Sequence, residues 1–199
     1  MRVPHVLAPS VVIALVTLLA PPHEPAGATS VLRTSITKMA AASDAVVMGR
    51  VIAREVRYDD AGLNIYTYVT VRVDSRFKGD TGADVRVLVP GGTVGDRTRV
   101  VHGAPSFSLH EKVVLFLERR TKGDAGWNVV GMFTGKLTVK PVPGGEAVDY
   151  GYPVAKVDPG DPPEVVRRKA PLDDFTPGVD LKTFVGKLRA DVARGAEGK

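Results

Sequence analysis

Valines alternate with polar residues through much of the middle of this chain, and the period changes at both ends. Val69, Val71 and Val73 point one way from residues 64–76, while Tyr68, Thr70 and Arg72 point the other, as a half-buried strand requires. Val85, Val87 and Val89 repeat the pattern in a third strand, and Val113, Leu115 and Leu117 mark one face of a nearly all-apolar fourth at residues 112–118. A first strand is expected at residues 45–57, with Gly49 inside it; a glycine there marks a bulge or tight bend. A fifth, long strand is expected at residues 127–140, broken by Gly131 and Gly135. Turns fall at residues 58–62, 78–82 and 119–126, and a glycine-dense loop runs from Pro90 through Gly95 to about Pro105.

Helical spacing brackets the strands. Residues 30–42 predict a short helix with Ser35 as its cap and Ile36, Met39 and Ala40 as its apolar side. Leu181, Phe184, Val185, Leu188 and Val192 predict a last helix, capped by Asp180, that packs back on the strands. Residues 141–178 are rich in Pro, Gly and Asp and predict an irregular strap with one helical turn at 163–169. Five strands of uneven length, with glycines where they curve, predict a mainly β protein built on a small closed or partly closed barrel; an open sheet would leave long edges exposed. The expected organisation is thus a barrel domain over residues 29–140, the strap, and a C-terminal helix over 179–199.

The first 28 residues differ from the rest. Arg2, an apolar run over residues 6–20 and the small-x-small sequence Ala26-Gly27-Ala28 have the order of a secretory signal peptide cleaved after Ala28. The run is shorter than the roughly 20 apolar residues of a spanning helix. The expectation is a secreted or periplasmic protein with no membrane span after cleavage.

Composition narrows the chemistry further. The chain has no cysteine, so disulfides, a thiol nucleophile, a lipidated cysteine and cysteine metal sites are excluded. Of four histidines, His5 and His23 leave with the signal, and only His102 and His110 remain. The net charge of +5 is dispersed, with short clusters at Arg119-Arg120-Lys122 and Arg167-Arg168-Lys169, and forms no long basic stripe for nucleic acid.

Several stretches together carry a resemblance: Ser43-Asp44-Ala45-Val46-Val47-Met48-Gly49-Arg50-Val51, Ile65-Tyr66-Thr67-Tyr68-Val69-Thr70, Phe77-Lys78-Gly79, Pro90-Gly91-Gly92 with Gly95, Ala104-Pro105-Ser106-Phe107, and Glu111-Lys112-Val113-Val114-Leu115-Phe116-Leu117. Across about residues 43–135 the chain resembles a group of uncharacterised secreted bacterial proteins. That group is distantly similar to the netrin-like module of tissue inhibitors of metalloproteinases. The resemblance implies a five-stranded OB-like barrel. It does not carry the inhibitors' mechanism, which presents an N-terminal cysteine that this chain lacks.

The candidate ligand face is Tyr66 and Tyr68, with Thr70 and Arg72 continuing it, because strands two and three of an OB barrel form its usual ligand surface. The competing reading of the same pair is cross-strand packing. Arg97 and Arg99, in the glycine-dense loop before a strand-like Val100-Val101, are a second candidate for a carboxylate- or phosphate-bearing ligand. That loop lacks the Lys-Ser/Thr ending of a phosphate-cradling P-loop. His102 and His110 have no metal-ligand spacing, and Ser106 or Ser108 with His110 and Asp96 has no nucleophile elbow around it. Asp59-Asp60 and Asp158-Pro159-Gly160-Asp161 read as turns rather than calcium loops. The sequence therefore predicts no catalytic residue, metal or cofactor. It predicts a non-catalytic binding module for a protein or carbohydrate partner, with a regulator or inhibitor of a secreted hydrolase as the alternative and a hydrolase as the weakest reading.

Overall fold

The computed structural model describes residues 34–151 and 172–197, all within the unit Leu32–Lys199. The expected signal peptide and the expected helical turn at 163–169 lie outside these residues, as does Asp158–Asp161. The elements are α1 (Ile36–Ala42), β1 (Ala45–Tyr58), β2 (Ile65–Lys78), β3 (Asp84–Pro90), β4 (Gly92–Val94), β5 (Arg97–Arg99), β6 (Lys112–Arg119), β7 (Trp127–Val129), β8 (Lys136–Val142), β9 (Gly145–Tyr150), β10 (Val179–Asp180) and α2 (Leu181–Glu197). A 3₁₀ turn, Met132–Gly135, separates β7 from β8. No helix among the described residues is long and apolar enough to cross a membrane.

Five strands close the expected barrel in the order β1-β2-β3-β7-β6 and back to β1. The pairings are antiparallel except for β3 with β7, which run parallel through the register pair Val87–Trp127. Closure needs β1 to serve two neighbours: residues 45–50 pair with β6, while its register with β2 runs from Val46 to Tyr58. The register with β2 shifts at Met48/Gly49, where a Cβ on Gly49 would lie 2.1 Å from the Arg72 carbonyl oxygen. Only glycine admits that approach, which is why the strand carries one in its middle. The predicted fifth strand is real but divided. β7 pairs with the end of β6 and β8 with its beginning, and the 3₁₀ turn between them begins just after Gly131 and ends on Gly135.

The alternation read from the sequence fills the barrel. Val47, Val51, Val69, Val71, Val85, Val87, Val113, Leu115 and Leu117 form its interior, with Phe107 entering from the loop before β6. β6 is apolar on both faces because its other face is covered too. Val114 and Phe116 meet Ile36 and Met39 of α1 and Phe184 and Leu188 of α2, forming a second core with Leu137, Val148 and Tyr150. Ser35 caps α1, its Oγ accepting from Lys38 N at 3.1 Å. The helix begins at Ile36, where Asp174 Oδ1 accepts from the Ile36 amide at 2.7 Å. Asp180 caps α2, accepting from the amides of Lys182 and Thr183 at 3.0 and 3.1 Å. Leu181, Val185 and Val192 pack partly buried beside Phe184 and Leu188, so the predicted stripe docks on the chain's own core.

Two expectations fail. The strap over residues 141–178 is not irregular at its start: β8 turns through Pro143-Gly144 into β9, and six register pairs join the two strands. The apolar positions Ala147, Val148 and Tyr150 are too few, beside so much Pro and Gly, to have declared a strand. The loop after Pro90 is not open either. β4 and β5 form a small hairpin with Arg97–Arg99 as its second strand, and Val100 lies beyond it, 72% exposed.

Candidate ligand-binding face

Period-two alternation puts Tyr66, Tyr68 and Arg72 on the outer face of β2, where Tyr66 faces Pro90 and Tyr68 faces Leu88 across β3. The two tyrosines meet edge to face, ring centres 6.3 Å apart at 65°. They are not equally available. Tyr68 is 4% exposed, with the Arg57 guanidinium 3.9 Å above its ring, whereas Tyr66 is half-buried, with Arg120 at 5.2 Å over its ring. Tyr68 is therefore a support under the face rather than a contact on it. Arg72 is exposed two outward positions further along, engaged with Asp84 at 3.3 Å, and is not brought to the tyrosines. Arg97 and Arg99 stand exposed on the β4–β5 hairpin, with Arg99 donating to Asn64 Oδ1 at 2.5 Å.

Burial of Tyr68 follows from a residue that sequence reasoning passed over. Asp124, buried in the β6–β7 loop, accepts from the Tyr68 hydroxyl, from the Asp60 amide at 3.0 Å and from Arg57 Nη2 at 3.5 Å. One carboxylate thus ties the β1–β2 loop to the β6–β7 loop, the two loops that border the ligand surface of an OB barrel. The Tyr68 hydrogen bond, followed by the Asp60 amide, holds the Asp124 carboxyl below its ordinary value. Burial first and Asp124 second push the Tyr68 hydroxyl up to about 12. Asp59 is engaged within its own turn, Oδ1 accepting from the amides of Leu63 and Asn64 at 2.7 and 3.0 Å. Among the described residues no three His, Cys, Asp or Glu side chains are grouped to hold a metal.

Beside Tyr66 opens a cleft of about 230 Å³. It lies against β3 and β7, which share one register pair. Its apolar lining is Leu88, Val129, Tyr66, Pro90, Pro105 and Met132. Its polar side is a fixed chain: Arg120 Nη1 donates to Asn128 Oδ1 at 2.7 Å, and Asn128 Nδ2 donates to Glu118 Oε1 at 3.2 Å. Arg120 is further held by the carbonyls of Asp124 at 3.1 Å and Lys122 at 3.3 Å. These polar residues come from β6, β7 and the loop between them. The only sequence signal for them was the basic cluster Arg119-Arg120-Lys122, which read as a solvated turn.

His102 and His110 are exposed in the segment before β6, and the His110 amide and carbonyl are spent on Val51 O at 2.9 Å and Arg50 Nη1 at 3.0 Å. Lys136, almost wholly buried, donates to Glu111 Oε1 at 2.7 Å and Ser106 O at 2.6 Å, which pins the loop carrying Phe107 to the barrel. Its burial lowers the lysine's pKa in spite of Glu111. No protein-family model matches the chain, and neither a curated protein nor a solved structure does.

Proposed function

We propose that this chain is an exported, non-catalytic binding module whose ligand surface is the cleft beside Tyr66. The observation that carries the reading is the built character of that cleft. Tyr66 is braced edge-on by Tyr68, Arg120 and Asn128 are held in one hydrogen-bonded chain, and the bordering loops are locked by Asp124. Preorganisation of this kind lowers the ordering cost of binding and is what a recognition surface needs. Export rests on the signal-peptide pattern of residues 1–28. Membership of the secreted bacterial group with its netrin-like similarity is part of the same proposal and rests on the residues 43–135.

The test is comparative capture from cell envelope and culture medium, with the chain from Thr29 as bait in wild-type and Tyr66→Ala forms. The expected result is a bound species retained by the wild type and depleted at least tenfold by the variant. Identical captured material from both forms overturns the assignment of the cleft.

A further inference from the structure

We infer that the ligand of the Tyr66 cleft is a neutral carbohydrate, one sugar ring of which sits between the Pro90, Pro105 and Met132 walls and the Arg120–Asn128–Glu118 chain. The inference rests on the binding-module reading and deepens it. At about 230 Å³ the cleft falls below the roughly 300–1,000 Å³ of sites for drug-sized ligands, so it takes one ring-sized group. Its lining is of two kinds, apolar and polar, as a sugar's surface is. The walls offer C–H and ring surface for the apolar face of a pyranose. The polar side offers a guanidinium, an amide and a carboxylate in sequence, already oriented by their mutual hydrogen bonds.

That sequence of groups selects hydroxyls. Each hydroxyl both donates and accepts, so it matches a side that presents donors on Arg120 and Asn128 beside an acceptor on Glu118. A phosphate, sulfate or carboxylate facing the same side meets Glu118, and an ammonium meets Arg120. The charges on the cleft's polar side sum to zero, which favours an uncharged ligand. A peptide adding as a strand needs main-chain donors along the wall. Here two wall positions are Pro90 and Pro105, which have no N–H to give.

The experiment is a titration of the isotope-labelled full chain, followed residue by residue, with neutral tetrasaccharides: maltotetraose, cellotetraose, laminaritetraose, mannotetraose, xylotetraose and N-acetylchitotetraose. A heparin tetrasaccharide and a proline-rich decapeptide are run alongside. The expected result is binding of at least one neutral sugar with a Kd of about 1 mM or tighter. Shifts should centre on residues 88–90 and 128–132. Affinity should fall at least tenfold in Asn128→Ala and stay unchanged in Arg97→Ala, both checked for an unaltered spectrum elsewhere. No binding by any of the six, binding with shifts outside the cleft, or occupation of the cleft by heparin or the peptide instead overturns the inference. If capture still depends on Tyr66 in those cases, the binding-module reading stands and only the ligand class falls.

Discussion

The outer surface of the barrel is finished in two different ways. Over β6, β8 and the start of β1 it is apolar and roofed: Val46, Val114, Phe116 and Leu137 lie under α1 and α2 and are 0% exposed. Over the first half of β2 and β3 neither of the two described helices packs on the tyrosines. Their cover is two guanidiniums, Arg57 and Arg120, and the loop tied down by Asp124. Buried apolar area stabilises a fold by roughly 25 cal/mol per Å² whatever its detailed shape. A surface finished with aromatic rings and fixed charges contributes less and keeps its polar groups aimed outward. The difference separates the side that holds the protein together from the side equipped to meet something else.

Substitutions can break that contrast, and the largest effects belong to the roofed side. Phe116→Ala should destabilise the protein by about 3–5 kcal/mol in urea unfolding, because it removes a large buried ring and leaves a cavity beneath both helices. Next comes the Lys136–Glu111 pair. Lys136→Met should cost about 3 kcal/mol by stranding Glu111, and Lys136→Met with Glu111→Gln should recover most of it, since a buried pair is costly mainly when halved. A double variant no better than the single one would show that the lysine does more than neutralise Glu111.

The loop tie behind the cleft has its own signature. Asp124 titrates below 3.8 in the fold, so its ionised contribution is present above that pH and lost as pH falls through the lower folded value. The stability gap between wild type and Asp124→Asn should therefore stay constant from neutral pH to about 5 and close below the ordinary carboxylate value. A pH-independent gap would mean that the charge plays no part. The smallest change in stability is expected on the unroofed face. Tyr66→Ala should cost no more than roughly 1 kcal/mol, the upper end for a cross-strand side-chain pair such as Tyr66 with Pro90, while abolishing ligand binding. A loss as large as that of Phe116→Ala would erase the distinction between the two faces.

The barrel was legible because strand identity is written locally. Alternating valines need only two-residue periodicity to be seen, and Gly49 and Gly131 announce their bends by being glycine where a side chain is expected. The α2 stripe was legible for the same reason at helical spacing. β9 was hidden because Pro and Gly crowd the turn that begins it. The cleft was half legible: Tyr66 stood out on its strand, but Arg120, Asn128 and Glu118 acquire meaning only when β6 and β7 are laid beside β3. Asp124 left no local mark at all. It lies 56 residues from the tyrosine it anchors and resembles any aspartate in a turn. Tyr68, the better buried of the pair, was misplaced as a contact because alternation tells which side of a strand a residue takes and not what a distant loop lays over it.

The cap on α1 has a consequence in time. The Ile36 amide is held by Asp174, 138 positions further on, and Thr34 bridges to Leu172 in the same neighbourhood. A chain made from its first residue carries that helix through the whole synthesis of the barrel before the group that fastens its end exists. Pairings such as β1 with β2 are closer in sequence and close smaller loops, so they come at lower entropic cost. The first described helix is thus among the last elements to be fastened, by a residue made after the whole barrel.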